Sequence, residues 1–154
     1  LIEACARLKI KKDLQLVILG EGNYDDLQKL AQQLGLPREI MFTTTEDIGL
    51  YLCAADLYVS TSASESFGMA NLEALTAGTA AICTAVGGVP EVVGDGAFLI
   101  EPDLDALTEA MQSMLSNRAL CETIAKKGQT KARTWPDIIE ITNTYEAIYR
   151  QAAG

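Results

Sequence analysis

Two glutamates eight residues apart, Glu65 and Glu73, have the type and spacing that best suit a binding or catalytic site. Glu65 lies in a loop just before a helix that is predicted to begin near Gly68 and Met69, and Glu73 falls one turn into that helix. Helical side chains lean toward the N-terminus, so the Glu73 carboxylate is expected to point back at the loop that holds Glu65.

The apolar neighbours of Glu73 indicate what it binds. It stands between Leu72 and Leu75, so we expect it on a largely buried face of the helix, where an unpaired carboxylate is costly. A diol is a suitable partner, because two hydroxyls can donate to the two oxygens of one carboxylate. The alternative is that both acids are favoured only by the helix dipole, which fits Glu65 better than Glu73.

Loops rich in glycine, serine or threonine follow four of the predicted strands. They cover residues 20–22, 43–45, 60–68 and 85–90. Glycine lets backbone amides approach a ligand, and ligands of open parallel sheets bind at these strand ends. A tight turn explains any single loop, but several on one edge favour a phosphate-bearing ligand. Gly20-Glu21-Gly22 lacks the spacing of a dinucleotide fingerprint.

Short apolar runs alternate with helical periodicity along the chain. Strands are predicted at residues 14–20, 40–43, 56–60, 79–84 and 97–100, the first of them buried. Helices are predicted at residues 1–8, 25–34, 48–55, 69–77 and 90–93, at 104–134 with a break near 116–117, and at 135–151. This alternation predicts an α/β fold with a doubly wound, parallel, Rossmann-like sheet in one domain spanning residues 1–154.

Composition excludes several classes of function. The chain has 154 residues, enough for one well-packed domain. A net charge of −9 argues against nucleic acid as a partner, and no apolar run approaches the length of a membrane span. Because the chain contains no histidine, a histidine-based triad and an H-E-x-x-H zinc site are excluded.

The four cysteines lie far apart in apolar segments: Cys5, Cys53, Cys83 and Cys121. No C-x-x-C pair is present, so neither metal-ligand nor redox spacing is found. We expect reduced, buried thiols and a cytoplasmic setting, although the even number also permits two disulfides.

The run from Ala55 to Glu91 resembles the second, nucleotide-sugar-binding domain of the retaining GT-B glycosyltransferases of the group 1 family. The motifs that carry the resemblance are the E-x7-E pair of Glu65 and Glu73, the Glu65-Ser66-Phe67-Gly68 segment, and Gly87-Gly88-Val89-Pro90-Glu91. Similar residues elsewhere extend the resemblance over essentially the whole chain.

The resemblance implies a role for each matching residue. Glu65 would contact the hydroxyls of the donor sugar and act as the catalytic residue, and Glu73 would bind the ribose hydroxyls of the nucleotide. The other donor contacts it implies are Gly20, Gly22, Phe42, Ser66, Phe67, Gly68, Met69 and Ala70. It also implies retention of anomeric configuration, no cofactor and no metal ion.

The chain departs from the family pattern at several positions. Asn71 stands where an aliphatic residue is usual, which could alter the surroundings of the diphosphate or the sugar. The family's domain normally begins with a strand and a loop that carry an Arg and a Lys for the diphosphate, and Leu1 falls just after them. Twelve acids and no Lys or Arg lie between Arg38 and Arg118, so the cations are expected from elsewhere in an intact protein.

The leading hypothesis is therefore the donor-binding C-terminal domain of a glycosyltransferase that uses a UDP- or GDP-linked sugar and is inactive alone. Its partners would be the nucleotide-sugar, an N-terminal domain, and an unidentified glycan, lipid or small-molecule acceptor. One alternative is a nucleotide-sugar epimerase, although such proteins usually recruit histidine to the site. The other is a non-enzymatic ligand-binding or scaffold module.

Overall fold

Helices and strands alternate through the computed structural model, which describes residues 1–9, 13–36 and 38–153. The helices are α1 (Ile2–Arg7), α2 (Asp25–Gln33), α3 (Ile48–Ala54), α4 (Met69–Ala77), α5 (Val89–Val93), α6 (Leu104–Leu115), α7 (Arg118–Ala132) and α8 (Ile138–Ala153). The strands are β1 (Leu16–Leu19), β2 (Ile40–Thr43), β3 (Tyr58–Ser60), β4 (Ala81–Thr84) and β5 (Phe98–Ile100). A 3-10 turn at Gly94–Gly96 precedes β5.

All strand pairs in the described residues are parallel. β1 pairs with β2, with Leu16 opposite Ile40. β4 lies between β3 and β5, with Tyr58 opposite Ala81 and Ile82 opposite Phe98. The predicted parallel α/β class is confirmed, while hydrogen bonding divides the strands into a sheet of two and a sheet of three.

Helices cover both faces of β4, which is the most buried strand. Ile82 faces a core that includes Cys5 of α1 and Met111 of α6. Ala81 and Cys83, on the opposite face, pack with Leu75 of α4 and with the valines of α5. Successive residues of a strand point to opposite faces, so this division shows that the fold is doubly wound.

The burial predicted for β1 and for two of the cysteines is wrong. Every residue of β1 is only partly buried, because in the described residues β1 pairs with β2 alone. The cysteines are all free, but Cys53 is exposed and Cys121 is half-buried, while Cys5 and Cys83 are buried. Cys53 lies on the outer side of α3, whose buried residue is Leu52. Burial raises the pKa of the Cys83 thiol to about 12.

Helix α8 leaves its apolar stripe exposed. Ile138 is 74% exposed and Tyr149 is 67% exposed, and no residue of the helix is buried. Asp137 and Glu140 cap the start of the helix by accepting hydrogen bonds from each other's backbone amides, at 2.8 and 3.0 Å. None of the helices in the described ranges is both long and apolar enough to cross a lipid bilayer.

Helix α7 crosses the 3-10 turn at a glycine. A Cβ atom on Gly128 would lie 2.9 Å from the Gly96 carbonyl oxygen and 3.0 Å from Cγ of Leu75. We therefore expect Gly128→Ala to destabilise the fold by about 1–3 kcal/mol through overpacking. The free energy of unfolding in urea measures this loss.

Gly49→Ala is the matched control, because Gly49 is an exposed helical glycine whose Cβ would meet Asp47 at an ordinary 3.6 Å. Alanine is the better helix former by about 0.5–1 kcal/mol, so this variant should be neutral or stabilised. Equal effects of the two substitutions would contradict the close approach of α7 to Gly96.

Candidate functional site

The loop that carries Glu65 connects β3 to α4 and is held by a second loop. The amide of Gly88 donates to the Glu65 carbonyl oxygen at 3.2 Å. A Cβ atom on Gly87 would lie 1.8 Å from that oxygen, and one on Gly88 would lie 2.0 Å from the Ser66 carbonyl oxygen. These glycines thus permit close approach to the protein's own backbone rather than to a ligand. Their first effect is to fix the position of Glu65.

A side-chain contact also holds the same loop. The Phe67 ring packs edge-on against Trp135, with ring centroids 4.9 Å apart. Trp135 Nε1 in turn donates to the Val92 carbonyl oxygen of α5 at 3.0 Å. The Phe67 side chain therefore belongs to the core, and only its backbone is suited to the donor contact predicted for it.

Gly68 is the N-cap of helix α4 and has a left-handed backbone with φ 83°. No side chain of the described residues caps this end of the helix. Ser66, Met69 and Ala70 are exposed around it. The amides of a helix's first turn have no partner within the helix, and together with the helix dipole they attract anions. The start of α4 is therefore suited to a phosphate group, and the contact itself stays a prediction.

Glu73 is exposed, so the prediction of a largely buried carboxylate is wrong. The buried residues of α4 are Asn71, Ala74 and Leu75. Successive helical residues are about 100° apart, so Glu73 falls with Met69 on the open side despite its apolar neighbours. Glu73 does lie one turn after the start of α4, where the sequence predicted it.

Both carboxylates lie close enough to Tyr58 to affect its ionisation. Burial is the main cause that raises the pKa of Tyr58 to about 12, and Cys83, Glu73 and Glu65 add to the increase. A hydrogen bond with Ser60 acts in the opposite direction. Glu65 and Glu73 therefore lie within electrostatic reach of the same side chain, Tyr58. Sequence reasoning missed Tyr58, although its place two residues before the end of a strand was a usable signal.

A second group of predicted residues lies at the ends of β1 and β2. The Gly20 amide donates to the Thr43 carbonyl oxygen at 3.2 Å, and both Gly20 and Gly22 are exposed with positive φ. Tyr24 joins this group, because its hydroxyl donates to the Gly20 carbonyl oxygen and its ring lies 5.0 Å from the Phe42 ring. Sequence reasoning also missed Tyr24.

The site is acidic. The ion pairs of the described residues include neither Glu65 nor Glu73. Glu65 instead accepts a hydrogen bond from the Ser66 amide at 3.0 Å. In the described ranges, no three Cys, Asp or Glu side chains converge in a group that could hold a metal ion. Two carboxylates beside unpaired amides can bind a ligand that carries both hydroxyl groups and phosphate.

Known proteins match this chain in sequence and in fold. The family model described as glycosyl transferases group 1 matches residues 1–131. N-acetyl-alpha-D-glucosaminyl L-malate synthase of Bacillus anthracis is 28% identical over 153 residues, which cover 96% of this chain and 40% of that protein.

Two solved structures illustrate the match in fold. Anabaena HepE in complex with UDP has a TM-score of 0.88 at 25% identity, over 98% of this chain and 44% of that one. The C-terminal domain of a group 1 family glycosyl transferase from Francisella tularensis has a TM-score of 0.79 at 28% identity, over 89% of this chain and 77% of that one.

The chain spans about two fifths of the length of the curated relatives it matches. Over that length, the solved structures share the α/β fold of this chain. The chain belongs to the group 1 glycosyl transferase family, and its fold is that of the family's C-terminal domain.

Proposed function

We propose that this chain is the donor-binding domain of a retaining glycosyltransferase that uses a UDP- or GDP-linked sugar. The observation that carries the proposal is the placement of Glu65 against Gly68 and of Glu73 one turn into α4, both beside the uncapped start of that helix. Family membership supports it, as does the crystal structure of Anabaena HepE with UDP-glucose, which is 25% identical to this chain.

In this proposal, Glu73 binds the nucleoside ribose. Its carboxylate has two oxygens for the 2′- and 3′-hydroxyls, and its place one turn above Met69 sets the ribose beside the start of α4. The exposure of Glu73 suits this role, because a ligand from solvent can reach it without displacing core side chains. The diphosphate then lies on the amides of Met69 and Ala70.

Glu65 acts on the transferred sugar. The contact of Gly87 and Gly88 with the loop backbone fixes the position from which the Glu65 side chain extends. The carboxylate, which accepts from the Ser66 amide in this structure, is free to accept sugar hydroxyls on the other side of the diphosphate from Glu73. Gly20, Gly22 and the backbone near Phe42 are assigned to the base. No metal ion takes part in this proposal.

The remainder of the intact protein completes the site. Because no Lys or Arg lies between Arg38 and Arg118, cations for the diphosphate come from outside that interval, and an N-terminal domain binds the acceptor. The stripe of α8, formed by Ile138, Ile141, Tyr145, Ile148 and Tyr149, is the surface we assign to contact with that domain.

The first prediction from the proposed function concerns Glu73. Glu73→Ala removes two charge-assisted hydrogen bonds worth roughly 1.5–3 kcal/mol each, so nucleotide diphosphate binding should weaken by about tenfold or more. Replacing ribose with 2′-deoxyribose should cause much of the same loss in the native chain. Calorimetry with and without EDTA measures both effects.

Glu109→Ala is the control for Glu73, because Glu109 is an exposed glutamate on α6, away from the strand ends. The Glu109→Ala variant should bind nucleotide diphosphate with the same affinity as the native chain. Equal affinity of the native chain for the ribose and deoxyribose nucleotides would contradict the assignment of Glu73.

The second prediction concerns Glu65 in the intact enzyme. Glu65→Gln keeps the size of the side chain but removes its charge, so nucleotide diphosphate affinity should stay nearly unchanged while the turnover number falls. Steady-state kinetics together with a nucleotide titration separate the two effects. A variant that lost affinity for the nucleotide but kept its turnover number would reverse the roles of the two glutamates.

The third prediction concerns α8. Its amides should exchange with deuterium faster in the isolated chain than those of α6, because α6 buries Leu107, Met111 and Met114 whereas α8 buries none of its residues. Hydrogen exchange of the monomer measures this difference. Full protection of α8 in a monomer would contradict its assignment to a surface that another domain covers.

The fourth prediction is weak donor binding and no sugar transfer by residues 1–154 alone. One lost charge-assisted contact lowers affinity about ten- to a hundredfold. Added salt should strengthen binding modestly, because it screens the repulsion between a chain of net charge −9 and an anionic ligand. Calorimetry with UDP and GDP at two ionic strengths, with a donor hydrolysis assay, tests this. Submicromolar binding or transfer would show that the chain holds a complete site.

A further inference from the structure

Asn71 is a buried polar residue at the start of α4. It is 2% exposed and sits in the third position of the helix, where an aliphatic residue is usual in the family that the sequence resembles. A Cβ atom on Gly68 would lie 2.5 Å from Asn71 Nδ2 and 3.3 Å from Cγ of Glu65. The carboxamide therefore lies against Gly68, the N-cap of the helix, and close to the Glu65 side chain.

One end of this carboxamide is held by Tyr58. The Tyr58 hydroxyl donates to Asn71 Oδ1 at 3.1 Å, which leaves Nδ2 as the donor that faces Gly68. Among the residues described, none accepts a hydrogen bond from Nδ2, and no side-chain nitrogen or oxygen there is both sealed from solvent and without a partner. Nδ2 is consequently not fully sealed from solvent, although the residue as a whole is 2% exposed.

Two kinds of donor thus meet at one place. The first-turn amides of α4, at Met69 and Ala70, are uncapped. Nδ2 of Asn71 adds a side-chain donor whose direction is fixed by its bond to Tyr58 and by burial. Lone helix starts attract anions only weakly, and a fixed donor beside the amides adds a directional contact that an aliphatic side chain cannot make.

We propose that Asn71 Nδ2 donates a hydrogen bond to an anionic phosphate oxygen of the nucleotide that binds at the start of α4. This inference rests on the proposed function, since it names a specificity residue of the same site. Asn71 then distinguishes nucleotide diphosphates from nucleosides. Tyr58 is a positioning residue, because it acts by fixing the orientation of the carboxamide.

Nuclear magnetic resonance of the side-chain amides tests the contact in the native chain. The chain has four asparagines, so the Asn71 NH2 pair can be assigned by its loss in Asn71→Leu. UDP, GDP and inorganic pyrophosphate are titrated, with uridine and guanosine as the matched ligands without phosphate. The side-chain amide of Asn117, which caps α7, is the internal control.

The Asn71 pair should shift with a nucleotide diphosphate and stay in place with the nucleosides, while the Asn117 pair stays in place throughout. Asn71→Leu should lower the preference for UDP over uridine, or for GDP over guanosine, by about three- to tenfold. The double variant Tyr58→Phe/Asn71→Leu removes both partners of the buried hydrogen bond. It should fold well and show the same loss, even if Asn71→Leu alone is unstable.

Each remaining outcome decides between the two proposals. If UDP or GDP shifts the resonances of Phe42 and Glu73 but not the Asn71 pair, the role of Asn71 is wrong and the donor-binding function stands. If pyrophosphate alone shifts the Asn71 pair, the phosphate contact stands and the nucleotide function is wrong. If no ligand shifts any of these resonances, both proposals are wrong. Equal shifts with nucleosides and nucleotides also overturn the phosphate contact.

Discussion

The candidate site depends on a contact between two stretches of backbone. Gly87 and Gly88 lie so close to the carbonyl oxygens of Glu65 and Ser66 that neither position leaves room for a Cβ atom. This contact joins the loop after β4 to the loop after β3, and so ties the position of Glu65 to the most buried strand of the fold. Phe67 and Trp135 hold the same loop through their side chains. Helix α4 starts directly after this loop, so the same packing fixes the direction of its first-turn amides.

The groups that orient a donor at this site are not the groups that would neutralise its charge. Backbone amides and one fixed carboxamide offer directional donors, while Glu65 and Glu73 bring two carboxylates to the same helix start. Carboxylates suit sugar and ribose hydroxyls but repel phosphate. A diphosphate donor therefore needs cations from outside the interval between Arg38 and Arg118. In our account, residues 39–117 select and orient the donor, and cations from outside that interval neutralise it.

Sequence patterns were sufficient to predict the bounds of an element wherever local signals and packing agree. The start and end of α4 are those predicted, because Gly68 and Gly78 flank it in left-handed conformations that end the helical pattern on both sides. The break between α6 and α7 falls at Asn117, which caps α7 by accepting a hydrogen bond from the Leu120 amide. The observed strand ends differ from the predicted ones by up to two residues, because pairing with a neighbouring strand, rather than apolarity, fixes them.

Features that arise from tertiary contact could not be predicted in the same way. Apolar neighbours in sequence suggested a buried Glu73, but the helix turns them to other sides. The role of Gly87 and Gly88 comes from contact with a loop that lies more than twenty residues away in sequence. Tyr58 and Tyr24 look like ordinary strand and loop aromatics until the fold sets their hydroxyls beside Asn71 and Gly20.

A crystal structure of this chain grown with UDP or GDP at high concentration tests the central claim most directly. Our account predicts that the ribose hydroxyls lie within about 2.6–3.2 Å of the Glu73 carboxylate, with phosphate oxygens at similar distances from the Met69 and Ala70 amides. A nucleotide bound elsewhere on the chain, or bound at the start of α4 with its ribose turned away from Glu73, would contradict it.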